Sequence, residues 1–459
     1  IPFARLYTEY SAVEKCFRKD PDGYYMLCDE SSKALYRRQL LRAAYSKGIS
    51  AAQLAQKYLR AAQRGTTVRN RHIGKYLFQN PYPKRRLFYF STFLLFMLIY
   101  EAVLGVLCFY AKCSLLLFGT VLILSLFPGY KLVAFFCDRI FSRVFASDAV
   151  LSLNYRQIPQ QARTLVVIPT LFSDQQAVDL AFDHLADFFL RNQDEQIRFC
   201  VLADFPEGKQ EHAPGDLALL QYAKQRLQLL LKNYADRFFL LVRRRVLLPN
   251  DGIYMGWERK RGALVELMRL LHTNGVQKGS FFCMEGAEDA LKDIRYVLTL
   301  DGDTLLPYDC VRNMVNIMLH PLHLPVYNKA GNAVVHGFGV LQPGIVCDPE
   351  SAEKTLFSKL VSAGGGMPNY ACASFQTAMH VYGCGVFCGK GMLDVQAYIA
   401  CTADAFPENA VLSHDMLEGA RLRCLYVPQL SLMDTTPATP QSFLKRRERW
   451  DRGDVQALL

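Results

Sequence analysis

The sequence predicts an α/β protein with a mostly parallel sheet, preceded by a membrane-crossing helical hairpin and an N-terminal helical region. Three observations predict it. From Arg163 onward, short apolar runs alternate with amphipathic stretches, the pattern of strands and helices wound in turn. Before them lie two apolar runs, 87–110 and about 114–136, each long enough to cross a bilayer, which takes about 20 helical residues. Residues 1–80 carry apolar positions at helical spacing and no strand pattern.

Composition limits the partners. The 459 residues are 51% hydrophobic with a mean hydropathy of +0.06, and the excess is concentrated in the two apolar runs. The length allows two or three domains: 1–80, 84–145 and 160–459. A net charge of +11 suits nucleic acid, an anionic membrane surface or an anionic substrate. The basic residues cluster beside the apolar runs and near the motifs below, which argues against nucleic acid. Fourteen cysteines without a Cys-x-x-Cys pair indicate neither a zinc site nor a disulfide framework, but free thiols in a reducing compartment. A chain that begins at Ile1 and stops after a basic segment reads as a piece of a longer protein.

In chain order, Leu40, Leu41, Ala44 and Tyr45, then Leu54, Tyr58 and Leu59, mark two helices, with Ser50 and Gln53 in position for a capping box. Lys84, Arg85 and Arg86 precede the first apolar run, and Lys131, Arg139 and Arg143 flank or follow the second, whereas the connector offers only Lys112. By the positive-inside rule both ends of the hairpin are cytoplasmic. Glu101 inside the first run is either a functional carboxylate or paired within the helices. The later segments predict strands at 164–168, 197–202, 238–242 and 296–300, with helices at 177–190, 217–234 and 262–271. Such sheets bind ligands beyond the carboxyl ends of their strands, where this chain carries Pro169, Asp204 and Asp301.

Tyr296 to Thr304 is an apolar run that delivers Asp301 and Asp303 onto the turn that ends it. Two hard oxygen ligands there suit Mg²⁺ or Mn²⁺ carrying a diphosphate, although an isolated Asp-x-Asp is as readily a plain turn. Glu258-Arg259-Lys260-Arg261 opens a helix, and cations at a helix N-terminus oppose its dipole unless an anion is bound. Gly364-Gly365-Gly366 and Gly383 to Gly391 are glycine-rich without nucleotide-loop spacing. Ser413-His414-Asp415 with Glu418 puts a histidine and two carboxylates on a short segment, and Asp415 there is a helix cap or a general base. Arg446-Arg447-Glu448-Arg449-Trp450 combines a ring with guanidinium groups, fit to stack on a sugar or to lie on a membrane surface.

The order of these motifs resembles that of processive inverting family 2 glycosyltransferases of the cellulose, chitin and hyaluronan synthase kind. It is more similar still to the glycosyltransferase part of bacterial cyclic β-1,2-glucan synthases. Residues 255–262, 298–304, His320-Pro321-Leu322, Gly389-Lys390-Gly391, Leu412 to Asp415 and Arg452-Gly453-Asp454 carry that likeness from roughly residue 70 onward. Arg446 stands where broader relatives have Gln, and Gly302 where Ala is common.

The resemblance implies a GT-A fold, Rossmann-like, in an enzyme of the bacterial inner membrane with several spans and a cytoplasmic catalytic domain. It implies UDP-glucose as donor and a growing glucan as acceptor. Pro169, Thr170, Asp204, Lys260, Arg261 and Asp301 would then bind the nucleotide sugar. Asp303 with Asp301 would hold Mg²⁺ or Mn²⁺, Asp415 would be the base, and Arg446, Arg449 and Trp450 would line the acceptor end. Growth on the protein itself would need a nucleophile, for which Tyr370 is the candidate. A linear-polysaccharide synthase and a catalytically silent membrane scaffold that binds nucleotide or anionic lipid are the alternatives.

Overall fold

The computed structural model describes residues 10–78, 82–145, 150–234, 237–248, 252–286, 291–362, 373–408 and 414–456. The N-terminal region is helical as predicted, with its main helices at Glu30–Lys47 (α1) and Ala51–Gln63 (α2). The Ser50–Gln53 capping box is formed in both directions, satisfying two otherwise unpaired N–H groups. Of the four apolar positions that mark α1, two are buried and two are exposed. Tyr36, Leu40 and Ala44 are buried, whereas Leu41 is 56% and Tyr45 92% exposed. Side chains four apart share a face, and the row beginning at Tyr36 faces the N-terminal core, where Tyr36 meets the Phe17, Tyr25 and Phe78 rings; Leu41 and Tyr45, one residue on, face outward. The resulting small core includes Leu151 and Leu322 of the later chain.

Helices Tyr82–Tyr110 (α3) and Leu115–Val144 (α4) are each long and apolar enough to cross a membrane, and both outrun the predicted segments. Tyr100 of α3 lies against Gly129 of α4, where a side chain would collide with its ring. Glu101 accepts from the Ser125 hydroxyl at 3.1 and 3.2 Å, so within the described residues it is paired between the two helices. Leu94, Leu98, Leu124 and Phe127 point away from the protein, each more than half exposed.

The α/β domain follows, comprising β1 Thr164–Leu171, α5 Gln175–Arg191, β2 Ile197–Asp204, α6 Asp216–Tyr234, β3 Phe238–Arg243, α7 Arg259–His272, β4 Phe281–Glu285 and β5 Tyr296–Thr299. It continues with β6 Thr304–Leu305, α8 Cys310–Met318, β7 Val340–Cys347, α9 Ala373–Tyr382, β8 Gly391–Asp394, α10 Val395–Cys401, α11 His414–Leu422, β9 Cys424–Asp434 and α12 Pro440–Gln456. Nine strands form one sheet in the order β4-β3-β2-β1-β5-β8-β7-β9-β6. From the pairings, β1, β2, β3, β5, β7 and β9 run one way, and β4, β6 and β8 run against them. The sheet is therefore mixed but mostly parallel.

Helices cover both faces, which explains why the strands read as unbroken apolar runs. Val166, Phe199, Leu240 and Leu298 meet Phe182, Leu185, Leu227 and Met314 on one face. Leu165, Leu202, Leu241 and Val297 meet Leu264, Leu267, Met268 and Tyr398 on the other. The alternation along β1 follows from the two-residue period of a strand. The base of the helix pair docks on α9: Arg85 and Arg86 donate to the carbonyls of His380 and Val381 at 3.4 Å, and Thr377 donates to that of Asp138 at 3.4 Å.

Candidate active site

The chain winds outward in both directions from β1, to β2 on one side and β5 on the other. A crevice opens beyond the carboxyl ends at such a point. Two boundaries differ from the sequence reading: Pro169 and Thr170 lie within β1, and Asp204 is the last residue of β2 rather than a loop residue. Leu202 and Ala203 extend the ladder beside them, paired with Pro169 and Thr170.

Asp204 is gripped by a residue that the sequence reading did not single out. Arg243, at the end of β3 and fully buried, donates from Nε and Nη2 to the two carboxylate oxygens at 2.8 and 2.6 Å. Nη1 also donates to Glu266 at 3.2 Å, and the same guanidinium binds the carbonyls of Trp257 and Arg259 at 3.0 and 2.9 Å. Burial works to lower the pKa of Arg243; Asp204 and Glu266 outweigh it, so the group stays charged. This planar fork ties the end of β2 to the turn before α7. Gly256 allows the close approach, since a Cβ there would sit 2.7 Å from the Asp204 carboxyl carbon.

That turn is bent: Glu258 and Arg259 have φ of 53° and 51°, uncommon for residues other than glycine. The bend sets the phase of α7 and sorts its cations. Lys260 donates to Asp301 Oδ1 at 2.5 Å and to the Gly389 carbonyl at 3.2 Å. Arg259 pairs with Glu207. Arg261, expected at the nucleotide, is buried, pairs with Glu258 at 3.1 Å and lies over the Phe406 ring.

Asp301 follows β5, and its other oxygen lies 3.1 Å from Lys390 Nζ. Burial works to raise its pKa, but Lys260 and Lys390 prevail and hold the carboxyl well below the usual carboxylate range. Lys390 also donates to Asp434, at the end of β9, whose second oxygen accepts from Thr304 at 2.8 Å. Against burial, Asp301 and Asp434 keep the lysine protonated well above its ordinary range. Asp303 differs: its side chain is 40% exposed, and among the described residues it meets the Thr435 hydroxyl at 2.9 Å and Arg446 Nη2 at 3.5 Å. Both contacts fall on Oδ2, so among the described residues Oδ1 is left to offer a cation. Arg446 thereby belongs to the carboxylate cluster. Arg449 is exposed and Trp450 partly buried further along α12.

Asp415, in the first turn of α11, reaches the same crevice through Gly389. That glycine has φ +83°, and a Cβ on it would sit 2.8 Å from Asp415 Oδ2, while its carbonyl binds Lys260. Asp204, Asp301, Asp303 and Asp415 are thus gathered from three segments toward one edge of the sheet. Tyr370 and Ser413 lie outside the described residues. Lys390, Asp434 and Arg243 are the residues the sequence reading missed as site members. A charged residue closing an apolar run was the available signal for Arg243 and Asp434, and a lysine between two glycines for Lys390.

No family model matches the chain. It is 38% identical over 306 residues, 66% of its length, to the cyclic β-(1,2)-glucan synthase NdvB of Rhizobium meliloti (strain 1021), and it spans 11% of the length of that protein. The matched length and its identity leave the relationship plain: across those 306 residues this chain is related to the cyclic β-(1,2)-glucan synthase NdvB.

Proposed function

We propose that this chain is an inverting, processive glycosyltransferase segment that moves glucose from UDP-glucose to a growing β-1,2-glucan, on a GT-A fold at the cytoplasmic side of a multi-pass inner-membrane protein. The observation that carries the reading is the pair of lysines on Asp301, which tie the Asp301–Asp303 turn to Asp434 and to Gly389 beside Asp415, next to the α7 turn that Arg243 joins to Asp204. The kinship with a glucan synthase supports a glucan product.

In this reading Asp204 receives the uridine part, held in place by Arg243. Lys260 and Lys390 turn from Asp301 toward the diphosphate and neutralise it. Asp303, with Asp301 beside it, fits a hard divalent cation such as Mg²⁺ or Mn²⁺, since a half-exposed carboxylate supplies the oxygen such ions prefer. When bound, the ion would add positive charge where the UDP leaving group becomes negative, a stabilisation of several kcal/mol in order of magnitude. Asp415 takes the proton from the acceptor 2-hydroxyl, which attacks the anomeric carbon from the face opposite UDP and turns an α-linked donor into a β-linkage. Arg446, Arg449 and Trp450 line the acceptor end. Tyr370 is the proposed attachment point of a protein-linked glucan. The two apolar helices anchor the domain in the bilayer, and the basic residues at their base put both ends in the cytoplasm.

Radiolabelled UDP-glucose supplied to membranes containing the chain tests this. Label should enter 1,2-linked glucan, with part of it bound covalently to protein, and both Asp303→Ala and Asp415→Ala should abolish incorporation. A product free of 1,2-linkages would point to a linear-polysaccharide synthase. Unchanged function in both variants would point to a silent scaffold.

A further inference from the structure

The structure assigns a second cation site to the first turn of α11, in which His414, Asp415 and Glu418 would bind Zn²⁺ or Co²⁺ and so occupy the base of the proposed transfer reaction. His414 and Glu418 are four residues apart on a helix and project from the same face. One donor atom from each of the three side chains lies within 4.8 Å of the others. His414 Nε2 is 3.2 Å from Asp415 Oδ1, yet no hydrogen bond joins them. Two ligands of one tetrahedral Zn²⁺ lie about 3.4 Å apart, given Zn–N and Zn–O bonds near 2.0–2.1 Å.

The second observation is independent of this clustering. His414 Nε2 and Glu418 Oε2 are buried and without a hydrogen-bond partner among the described residues, on side chains 6% and 1% exposed. Buried polar atoms are nearly always satisfied, so two orphans on side chains of one cluster mark a place for a ligand. Glu418 is already oriented: its Oε1 accepts from the Tyr398 hydroxyl at 2.6 Å, as an outer partner fixes a metal-binding carboxylate. Asp415, 30% exposed, opens the site to the crevice. An imidazole among the donors favours Zn²⁺ or Co²⁺ over Mg²⁺, in contrast to the Asp301 and Asp303 carboxylates, which offer oxygen alone. A cation here would take the Asp415 carboxylate out of proton transfer. That consequence, inhibition by low Zn²⁺, rests on the proposed function; the binding itself does not.

The test uses the full chain in detergent, stripped with chelator and then dialysed against Co²⁺ or Zn²⁺. One ion per chain should bind at micromolar concentration, with the visible absorption of tetrahedral Co²⁺. Glu418→Gln and His414→Gln, checked for folding by their melting in chelator, should each bind at least tenfold more weakly, and Asp303→Ala as the unaltered chain does. In transfer assays supplied with Mg²⁺, Zn²⁺ should inhibit over the same concentration range, and at least tenfold higher concentrations should be needed in Glu418→Gln relative to its own uninhibited rate. No bound ion, or binding unchanged in both variants, overturns the site. Zn²⁺ bound without inhibition overturns the part that places Asp415 among its ligands. A chain that binds the ion as described but transfers no glucose keeps the site and loses the proposed function.

Discussion

Replacing Lys390 with Met should separate two roles that one ammonium group combines. Its side chain is 9% exposed and bridges Asp434, 2% exposed, and Asp301, 41% exposed. Asp301 keeps Lys260 at 2.5 Å after the substitution, so the loss falls on Asp434, left as a buried charge with only the Thr304 hydroxyl. Removing one partner of a buried pair costs about 3–5 kcal/mol. At roughly 2–4 °C per kcal/mol for a domain of a few hundred residues, the melting temperature should fall by about 6–20 °C. Asp434→Asn added to Lys390→Met removes the stranded charge, keeps an acceptor for Thr304, and should restore most of that stability. Transfer should behave otherwise: without the cation at the diphosphate it falls by about 10²–10³-fold, in the single and the double variant alike. Melting in detergent and incorporation from UDP-glucose read the two effects separately. A double variant as unstable as the single would refute the buried pair. A double variant that regains transfer would reduce Lys390 to a strut.

Three further outcomes are expected. Gly389→Ala forces a side chain into a φ of +83° and toward the Asp415 carboxylate; displacing the base by about 1 Å should lower kcat by about 10–100-fold while the KM for UDP-glucose changes little. Arg243→Lys cannot reproduce the two-pronged grip on Asp204, so the KM should rise, and Arg243→Met should in addition lower stability by about 3–5 kcal/mol, both read from initial rates and melting. His323 is buried, and burial lowers its pKa to about 4, against the favourable hydrogen bond to the Ile317 carbonyl. The unfolded chain takes this proton below pH of about 6.5 and the folded chain only near 4, so stability is full above the former and falls toward the latter, by about 2 kcal/mol at pH 5. His323→Asn should flatten the difference in melting between pH 7.5 and pH 5.

The strands were legible because a sheet covered on both faces turns each strand into an apolar run, and the residue closing such a run lands at the sheet edge. That placed Asp301 and Asp303 correctly, and Asp204 to within its strand end. What could not be read was pairing across the sequence. Arg243 and Asp204 are 39 residues apart, and Lys390 and Asp434 are 44 apart; the first pair forms because β2 and β3 are neighbours, the second across the width of β7, which lies between β8 and β9. Lys260 and Arg261 show the finer limit. Adjacent cations on a helix point about 100° apart, and which one meets Asp301 depends on where the helix starts. That start is set by two consecutive left-handed residues, Glu258 and Arg259, neither of which announces such a conformation. Within α1 the same limit holds: of the four apolar positions at helical spacing, Leu40 and Ala44 are buried and Leu41 and Tyr45 exposed, a choice that spacing alone does not make.

The two carboxylates of the Asp-Gly-Asp turn are alike in sequence and opposite in circumstance. Asp301 has a lysine on each oxygen, whereas Asp303 faces a hydroxyl and the edge of one guanidinium. Because one residue of turn separates them, the chain can give one to the lysines and leave the other for a cation. The charges of the crevice bear on the order of events. Asp204, Asp301, Asp303, Asp415 and Asp434 face Arg243, Lys260, Lys390 and Arg446, so the cluster carries no surplus of positive charge, despite a chain net charge of +11. A diphosphate entering alone would have to draw both lysines from Asp301 and leave that carboxylate unpaired beside it. A divalent cation held by Asp303 and Asp301 would, on the proposed reading, balance that exchange, since Asp301 would keep a positive partner while Lys260 and Lys390 turned to the phosphates. On the proposed reading, donor and cation therefore enter together, and the lysine pair on Asp301 is the closed state of the donor site.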